Sequence, residues 1–359
     1  MATTQYGVNH PLAVKVWSRK LFQEALKQCW FSKFMGEGSD SLVQVQNDLR
    51  KGPGDRITIG LRMQLTGAGV QGDGTLEGNE EALTTYSDNL LINQLRHAVR
   101  SDGRMSEQRV PFSVREEART GLTDWWSDRI DTSLINQLSG NTGVSDTKYT
   151  GNNSTTAPSS GNIVYGDGQS SEANVISHSA SAIMSLKYID YAVEKAKVTT
   201  PTIRPIKING EDKYVLFLHP YQVTDLRVNT NSGQWLDIQK AAMAGGQVSN
   251  NPIYTGALGE YNNVILHSST RIPRTTVAAD ATSTTQAGCY RAVFCGAQAA
   301  AFAYGQNNSD NKMSWTEELF DYGNQLGVSA GMIFGAKKMV FNSTDFGAIV
   351  IATYAAAHG

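Results

Sequence analysis

The sequence predicts an α+β fold with helices and strands in mixed order. Two patterns carry this prediction. Apolar residues recur at every second position from Ile57 to Leu65, which is typical of a strand with one apolar face. They recur at every fourth position from Val114 to Leu138, which is typical of a buried helix face. The chain shows no internal repeat and no regular strand–helix–strand succession.

Composition allows a large core and is compatible with self-association. The 359 residues suffice for one large domain or two or three small ones. Charged residues make up 18% of the chain, below the roughly 25% that is usual in soluble domains. Such a surface suits a protein that buries its exterior against copies of itself, and it equally suits a loop-rich domain. The net charge of −2 argues against DNA binding through phosphate neutralisation, although a wall beside DNA is compatible with it.

The cysteines and the termini indicate a cytoplasmic origin. Cys29, Cys289 and Cys295 cannot form a closed set of disulfides. Cys289 and Cys295 fall on one face of a predicted strand, about 20 Å apart, so we expect free thiols. The N-terminus lacks the basic start and apolar core of a signal peptide. No run approaches the ~20 apolar residues of a membrane span.

The N-terminal region is predicted to be extended over residues 1–11 and helical over 12–35. In this helix, Trp17 and Phe22 belong to adjacent apolar rows with a helical period. Gly36 is expected to end it. The stripe favours packing in the core of the same subunit, and docking on a neighbouring copy is the alternative.

Residues 56–100 predict a β-hairpin with a glycine-rich tip. The apolar positions of the first strand are Ile57, Ile59, Leu61, Met63 and Leu65, and those of the return strand are Leu91, Leu95, His97 and Val99. A lone two-stranded hairpin is at best marginally stable in water. Strands of this length could hold the tip about 30 Å from the base. The apolar face therefore needs a partner, which indicates an assembly protein rather than an enzyme.

Residues 111–138 predict a helix about 40 Å long. Glu116 and Glu117 lie in its first turns, where the helix dipole favours acidic side chains. Gly121 lies in its interior, where glycine costs about 1 kcal/mol relative to alanine. We therefore expect another element to pack closely against Gly121.

Residues 139–181 are rich in Ser, Thr, Gly and Asn. They predict an exposed excursion on the outer surface with little regular structure, and we expect its removal to leave assembly intact. The remaining predicted elements are helices at 182–197 and 220–228 and strands at 214–218, 259–267, 292–295, 332–341 and 346–354.

Several short motifs resemble catalytic, cofactor or metal sites, but each lacks the neighbouring residues that such a site needs. Gly67, Gly69 and Gly72 match G-x-G-x-x-G after a strand, but the following residues break the helix that a dinucleotide site needs. The acidic run from Asp73 lacks the final Glu of a calcium loop. The triplet at 345–347 lacks the other kinase motifs, and the six histidines form no zinc spacing. We predict no catalytic residues, no cofactor and no metal.

Five stretches, each weak alone, occur in the order found in one family. They are YGVNHPLAVKVWSRKLFQEALKQ at 6–28, YVLFLHPYQVTDLR at 214–227, GALGEYNNVILHSSTRIP at 256–273, CYRAVFCGAQAAAFAYG at 289–305 and the closing segment at 315–355. Together they resemble the major capsid proteins of tailed bacteriophages, most closely the N-four-like phage capsids. The resemblance covers nearly the whole chain except about 139–181.

The resemblance implies the tailed-phage and herpesvirus major capsid fold. It places an N-terminal arm at 1–50 and an extended β-hairpin loop at 51–105. A peripheral domain with a long spine helix would occupy 106–200 and 312–359, with 139–181 as a polar surface insertion, and an axial domain would occupy 201–311. The implied function is a virion protein, made in the host bacterial cytoplasm. It would assemble into the hexamers and pentamers of an icosahedral head that encloses double-stranded DNA.

Contacts between subunits are expected from the hairpin and the N-terminal arm. The residues predicted to make them are Trp17, Phe22, Ile59, Leu61, Met63, Leu65, Gly67, Gly69, Gly72 and Leu76.

Two departures from relatives shape the expected partners. The family-like helix starts at Leu12, so we expect no fused scaffolding segment and hence a separate scaffold protein. No lysine lies between Lys51 and Lys148, so the hairpin cannot supply the lysine of the isopeptide bond that some relatives form. A non-covalent shell is predicted, with a cement or decoration protein as a candidate partner. A portal and packaged DNA, held without sequence-specific contacts, complete the expected partners.

Two rival functions remain open at this level. One is the shell protein of a bacterial nanocompartment with the same fold, which shell size and an enzyme cargo would reveal. The other is an α+β enzyme with an unrecognised site, which small discrete oligomers and ligand-dependent stabilisation would reveal.

Overall fold

The computed structural model describes residues 30–48, 54–109, 113–144, 146, 150–208, 210–229, 259–275, 287–306 and 312–358. These residues form five α-helices, α1 to α5 in chain order: Arg104–Arg109, Val114–Ser139, Glu172–Ser177, Leu186–Val198 and Pro220–Val228. They also form seventeen strands, β1 to β17: Met35–Gly36, Val43–Gln46, Arg56–Arg62, Thr85–Leu91, Asn93–Arg100, Ile163–Tyr165, Ile206–Ile208, Glu211–Leu218, Gly259–Tyr261, Val264–Ser268, Gly288–Cys295, Ala300–Tyr304, Met313–Phe320, Gln325–Lys338, Val340–Phe341, Thr344–Asp345 and Ala348–Ala355. The predicted α+β class is confirmed.

Two large mixed sheets organise the molecule. The six-stranded sheet has the order β1-β2-β12-β14-β13, and β5 also pairs with β14. The seven-stranded sheet has the order β6-β17-β11-β8-β10-β9, and β7 pairs with β8. Strands β3 and β4 form a separate antiparallel hairpin.

The long helix α2 is the shared core element of the two sheets. Trp126, Ile130 and Leu134 lie on its buried face. They belong to one apolar cluster with Phe302 and Phe334 of the six-stranded sheet and with several residues of the seven-stranded sheet. The helix ends at Gly140, whose φ of 62° provides the left-handed cap. The predicted long helix is therefore confirmed, although it begins at Val114, after the extended N-cap Ser113, and not at residue 111.

The close packing expected at Gly121 is not found. Its position is exposed, and a Cβ atom built there would have no heavy atom within 4 Å. The helix tolerates this glycine because buried residues on the opposite face hold it in place. No described helix, α2 included, combines the length and apolar character needed to cross a membrane.

A second core lies on the other face of the seven-stranded sheet. There, Ile189 and Val193 of α4 pack against Leu216, Phe294 and Ile351 of the sheet. The strand segments that carry these residues are apolar at nearly every position, as expected for strands that are covered on both faces.

The return strand of the hairpin differs from the prediction. Thr85–Leu91 pairs with Arg56–Arg62, whereas Asn93–Arg100 leaves the hairpin and pairs with β14. Leu95 and Val99 therefore pack on the main core. The prediction was wrong because an alternating pattern identifies a strand but not its partner, and β14 is more than 200 residues away along the chain.

Residues 139–181 are not an exposed excursion, and this prediction is also wrong. Strand β6 pairs in parallel with β17, inside the seven-stranded sheet. Asn153 and Asn162 are buried and donate hydrogen bonds to backbone oxygens of the core, and Val175 of α3 is fully buried. Polar side chains hold this segment in place, so its composition resembles that of a loop.

The N-terminal helix lies mostly outside the described residues. Its described end, Trp30–Phe34, is a 3₁₀ helix, and Met35 already belongs to β1, so the predicted helix does not extend to Met35. Asp131 of α2 accepts the backbone N–H groups of Trp30 and Phe31, at 2.8 and 3.1 Å. The arm is thus fastened to the middle of the long helix.

The predicted elements that correspond to α4, α5, β8, β11 and β17 are found close to their expected positions. The single strand predicted at 259–267 is instead the antiparallel pair β9 and β10. The strand predicted at 332–341 begins earlier, at Gln325, and β14 ends at Lys338. Cys289 and Cys295 are buried free thiols on β11, as expected. The expected boundary at 311/312 does not coincide with a boundary between sheets, because β12 pairs with β14 whereas β17 pairs with β11.

Candidate intersubunit hairpin

The base of the β3–β4 hairpin is covered by its own chain. Ile57 and Leu90 are buried with Met339 and Phe341, which follow β14. Lys337 Nζ donates to the backbone oxygen of Asn89 at 3.0 Å and forms an ion pair with Asp88. The expectation that the hairpin's apolar face needs an external partner is therefore wrong for the base.

Two of the predicted contact residues belong to this covered base. Ile59 and Leu61 are half-buried and pack against the same apolar cluster. Met63 is also half-buried, where its N–H donates to the Thr84 oxygen at 3.0 Å and closes the ladder. Trp17 and Phe22 lie outside the described residues.

The tip loop, residues 63–84, carries three exposed leucine side chains. Leu65 is 57% exposed and Leu76 is 61% exposed. Leu83, which no sequence pattern indicated, is 56% exposed. The residues of this loop form neither helix nor strand. Three large apolar side chains thus lie in solvent at the end of an arm whose base is anchored.

The neck of the tip loop is closed by Glu81. Its carboxylate accepts the N–H groups of Thr66 at 2.9 Å and of Gly67 at 2.6 Å, and these bonds hold the pKa of Glu81 below its usual value. A Cβ at Gly67 would lie 2.8 Å from the Glu81 carboxylate, so glycine permits this approach. Gly69 and Gly72 have φ values of 67° and 63°, a region that favours glycine.

The tip loop is also acidic. Asp73, Glu77, Glu80 and Glu81 lie between Met63 and Thr84, a stretch without Lys, Arg or His. The Glu81 carboxylate is hydrogen-bonded to the backbone of the neck, and the Glu80 carboxylate accepts the Gly78 N–H at 2.8 Å. Asp73 and Glu77 are exposed, so the tip presents both negative charge and leucine side chains.

The motifs that resemble cofactor or catalytic sites lie in loops, turns and a helix cap. No helix follows the three glycines within the tip loop, and the 345–347 triplet spans the end of β16 and the turn before β17. His219 caps α5, because its Nδ1 accepts the Tyr221 N–H at 3.3 Å, and burial lowers its pKa to about 4. Within the part of the chain that the structure describes, no group of His, Cys, Asp and Glu could hold a metal ion.

Comparisons with known proteins converge on one family. The sequence pattern of the family described as phage capsid protein matches residues 5–357. The major capsid protein of Pseudomonas phage KPP25 is 29% identical over 95% of this chain and 94% of its own length. The capsid of Ralstonia phage GP4 is 34% identical, with a TM-score of 0.78 and full coverage of both chains. The capsid of cyanophage Pam1 has a TM-score of 0.69 at 21% identity, over all of this chain and 95% of its own. The predicted tailed-phage capsid fold is confirmed.

Proposed function

This chain belongs to the phage capsid protein family, and we propose that it is the major capsid subunit, which assembles with copies of itself into the hexamers and pentamers of an icosahedral head. The observation that carries the proposal is the exposure of Leu65, Leu76 and Leu83 at the end of an anchored arm. Large apolar side chains that one loop leaves in solvent are candidates for burial in an interaction surface. The partner that they fit best is a neighbouring copy of the same chain.

The remaining predicted contact residues suit this role. Gly67, Gly69 and Gly72 allow the tip loop to follow neighbours that differ slightly between hexamers and pentamers. Asp73 and Glu77 add charge that a neighbour's basic residues can pair with. Trp17 and Phe22, in the N-terminal arm at 1–50, would add a second set of contacts between copies.

The sheet pairing supports a division of the chain into a peripheral and an axial domain. We assign α2 and the six-stranded sheet to the peripheral domain, and the seven-stranded sheet to the axial domain. In this assignment β17 belongs to the axial domain together with most of 201–311, while β12 belongs to the peripheral domain.

The proposed partners follow from the role. A separate scaffold protein would guide assembly, a portal would occupy one vertex, and a cement protein could reinforce the shell. Double-stranded DNA would be enclosed without sequence-specific contacts, in keeping with the net charge of −2. The subunit would be made in the host bacterial cytoplasm and act in the virion. Catalysis is not required for any of these steps.

Assembly of the full chain, with and without a candidate scaffold protein, tests this function. We expect negative-stain microscopy to show closed shells, tubes or sheets for the wild type. The double variant Leu65→Glu/Leu76→Glu should lose them, while the melting temperature of the unassembled subunit stays unchanged because both side chains are exposed.

The conservative double variant Leu65→Met/Leu76→Met is the matched control and should still assemble. Uniform small oligomers of the wild type would contradict the proposal and favour an enzyme. Shells that package an enzyme rather than DNA during expression would favour a nanocompartment.

A further inference from the structure

Asn153 binds the base of the hairpin as a neighbouring strand would. Its Oδ1 accepts the Leu91 N–H at 3.0 Å, and its Nδ2 donates to the Leu91 oxygen at 3.0 Å. The same Nδ2 donates to the Ala336 oxygen of β14 at 3.2 Å. One buried side-chain amide therefore joins the last residue of the hairpin to the central strand of the six-stranded sheet.

The turn that contains Asn153 is hydrogen-bonded to the long helix α2. Gln137 of α2 is fully buried, and its Nε2 donates to the backbone oxygens of Thr150 at 2.8 Å and Asn153 at 2.6 Å. The preceding residue, Asn152, donates instead to the Phe334 oxygen of β14 at 3.2 Å. The backbone of Asn153 is thus fixed by α2 and its side chain by β14, so Asn153 holds Leu91 in a defined position.

The hairpin crosses β14 where Asn153 acts. A Cβ at Gly335 would lie 2.1 Å from the Leu91 oxygen, so only glycine permits this crossing distance. Beside it lies a cavity of about 250 Å³, lined by residues that include Arg56, Asn89 and Lys337. The cavity leaves the strand end room to rotate if the amide is removed.

We propose that Asn153 is a positioning residue that sets the direction of the β3–β4 hairpin, and through it the angle at which copies meet in the shell. The inference rests on the proposed function. A seven-residue strand spans about 23 Å, so a rotation of about 5° at Leu91 moves its far end by about 2 Å. A displacement of that size at every contact changes the curvature of a closed assembly.

Two measurements on Asn153→Ala test the proposal, with Asn152→Ala as the matched control from the same turn. Hydrogen exchange should be about five-fold faster at the Leu91 amide in Asn153→Ala, as expected for the loss of one net hydrogen bond. It should be unchanged at Leu91 in Asn152→Ala. Electron microscopy should show a wider distribution of shell diameters, or open sheets, for Asn153→Ala only.

Shells of Asn153→Ala with the wild-type diameter distribution would overturn the proposal, as would an equal defect in Asn152→Ala. If Asn153→Ala does not fold, Gly335→Ala displaces the same strand end and should give the same shell defect; normal shells of that variant would overturn the proposal. Unprotected exchange at Leu91 in the wild type would also overturn it. Failure of the wild type to assemble would instead contradict the proposed function, while Leu91 exchange still reports on the amide contact.

Discussion

Arg291 Nη1 donates a 2.6 Å hydrogen bond to the backbone oxygen of Gly140, at the C-terminal end of α2. The same guanidinium forms an ion pair with Glu172 in the first turn of α3. A cation at this end of a helix is favoured by the helix dipole. Because Gly140 and Glu172 both lie in the segment 139–181, one arginine of β11 fastens that segment to the seven-stranded sheet at two points.

Removal of residues 141–171 should therefore prevent folding rather than leave assembly intact. The deletion takes β6 out of the seven-stranded sheet and removes Asn153 and Asn162 from the core. We expect insoluble protein, or a subunit without a cooperative thermal transition, as measured by solubility and circular dichroism. A soluble deletion variant that melts like the wild type would contradict the structural role of this segment.

Replacement of Gly121 by alanine should stabilise the subunit. The position is exposed, lies inside α2 and has room for a methyl group, so the gain should approach the ~1 kcal/mol difference in helix propensity. Thermal unfolding measures it. Gly140→Ala is the opposing control and should destabilise, because a Cβ there would lie 2.7 Å from the Thr156 oxygen at a φ of 62°. An unchanged or lower melting temperature for Gly121→Ala would contradict the open, exposed position of Gly121 on the helix.

Acid should weaken the contact between the N-terminal segment and the core. His267 packs against the rings of Trp30, Phe34 and Phe217, and burial, assisted by Lys33, lowers its pKa to about 4. The unfolded chain binds a proton near the ordinary pKa of about 6.5. Between these values the unfolded state holds more protons, so stability falls as pH drops from about 6.5 to about 4 and levels off below.

His267→Phe should lose less stability than the wild type over that pH range, as measured by chemical denaturation at pH 7 and pH 4.5. The pH dependence of the unfolding free energy that remains in this variant would come in part from His219, whose pKa is also about 4. His178→Phe, at an exposed position, should keep the wild-type slope. Equal slopes for all three proteins would contradict the assigned role of His267.

Mature shells should dissociate fully in hot SDS. The chain has no lysine between Lys51 and Lys148, so the hairpin offers no amine for an isopeptide bond to a neighbour. Gel electrophoresis of boiled particles should show the monomer alone. A ladder of covalent oligomers would contradict the prediction of a non-covalent shell.

Local patterns revealed most elements, but not the contacts that place them. The alternation from Ile57 to Leu61 and the four-residue period of α2 are local properties, so both elements could be predicted. The partner of Asn93–Arg100 could not, because the alternation of Leu95 and Val99 is the same in a hairpin and in a sheet edge. No sequence pattern indicated the role of Asn153, because this role depends on backbone groups at Leu91 and Ala336 that only the fold brings together.

A density map of the assembled particle, from electron cryo-microscopy of the full chain, tests the central claim most directly. We expect Leu65 and Leu76 of each tip loop to be buried against a neighbouring copy, in hexamers and pentamers of a closed shell. A closed shell in which both leucines remain in solvent would contradict the assignment of the tip loop as an intersubunit contact.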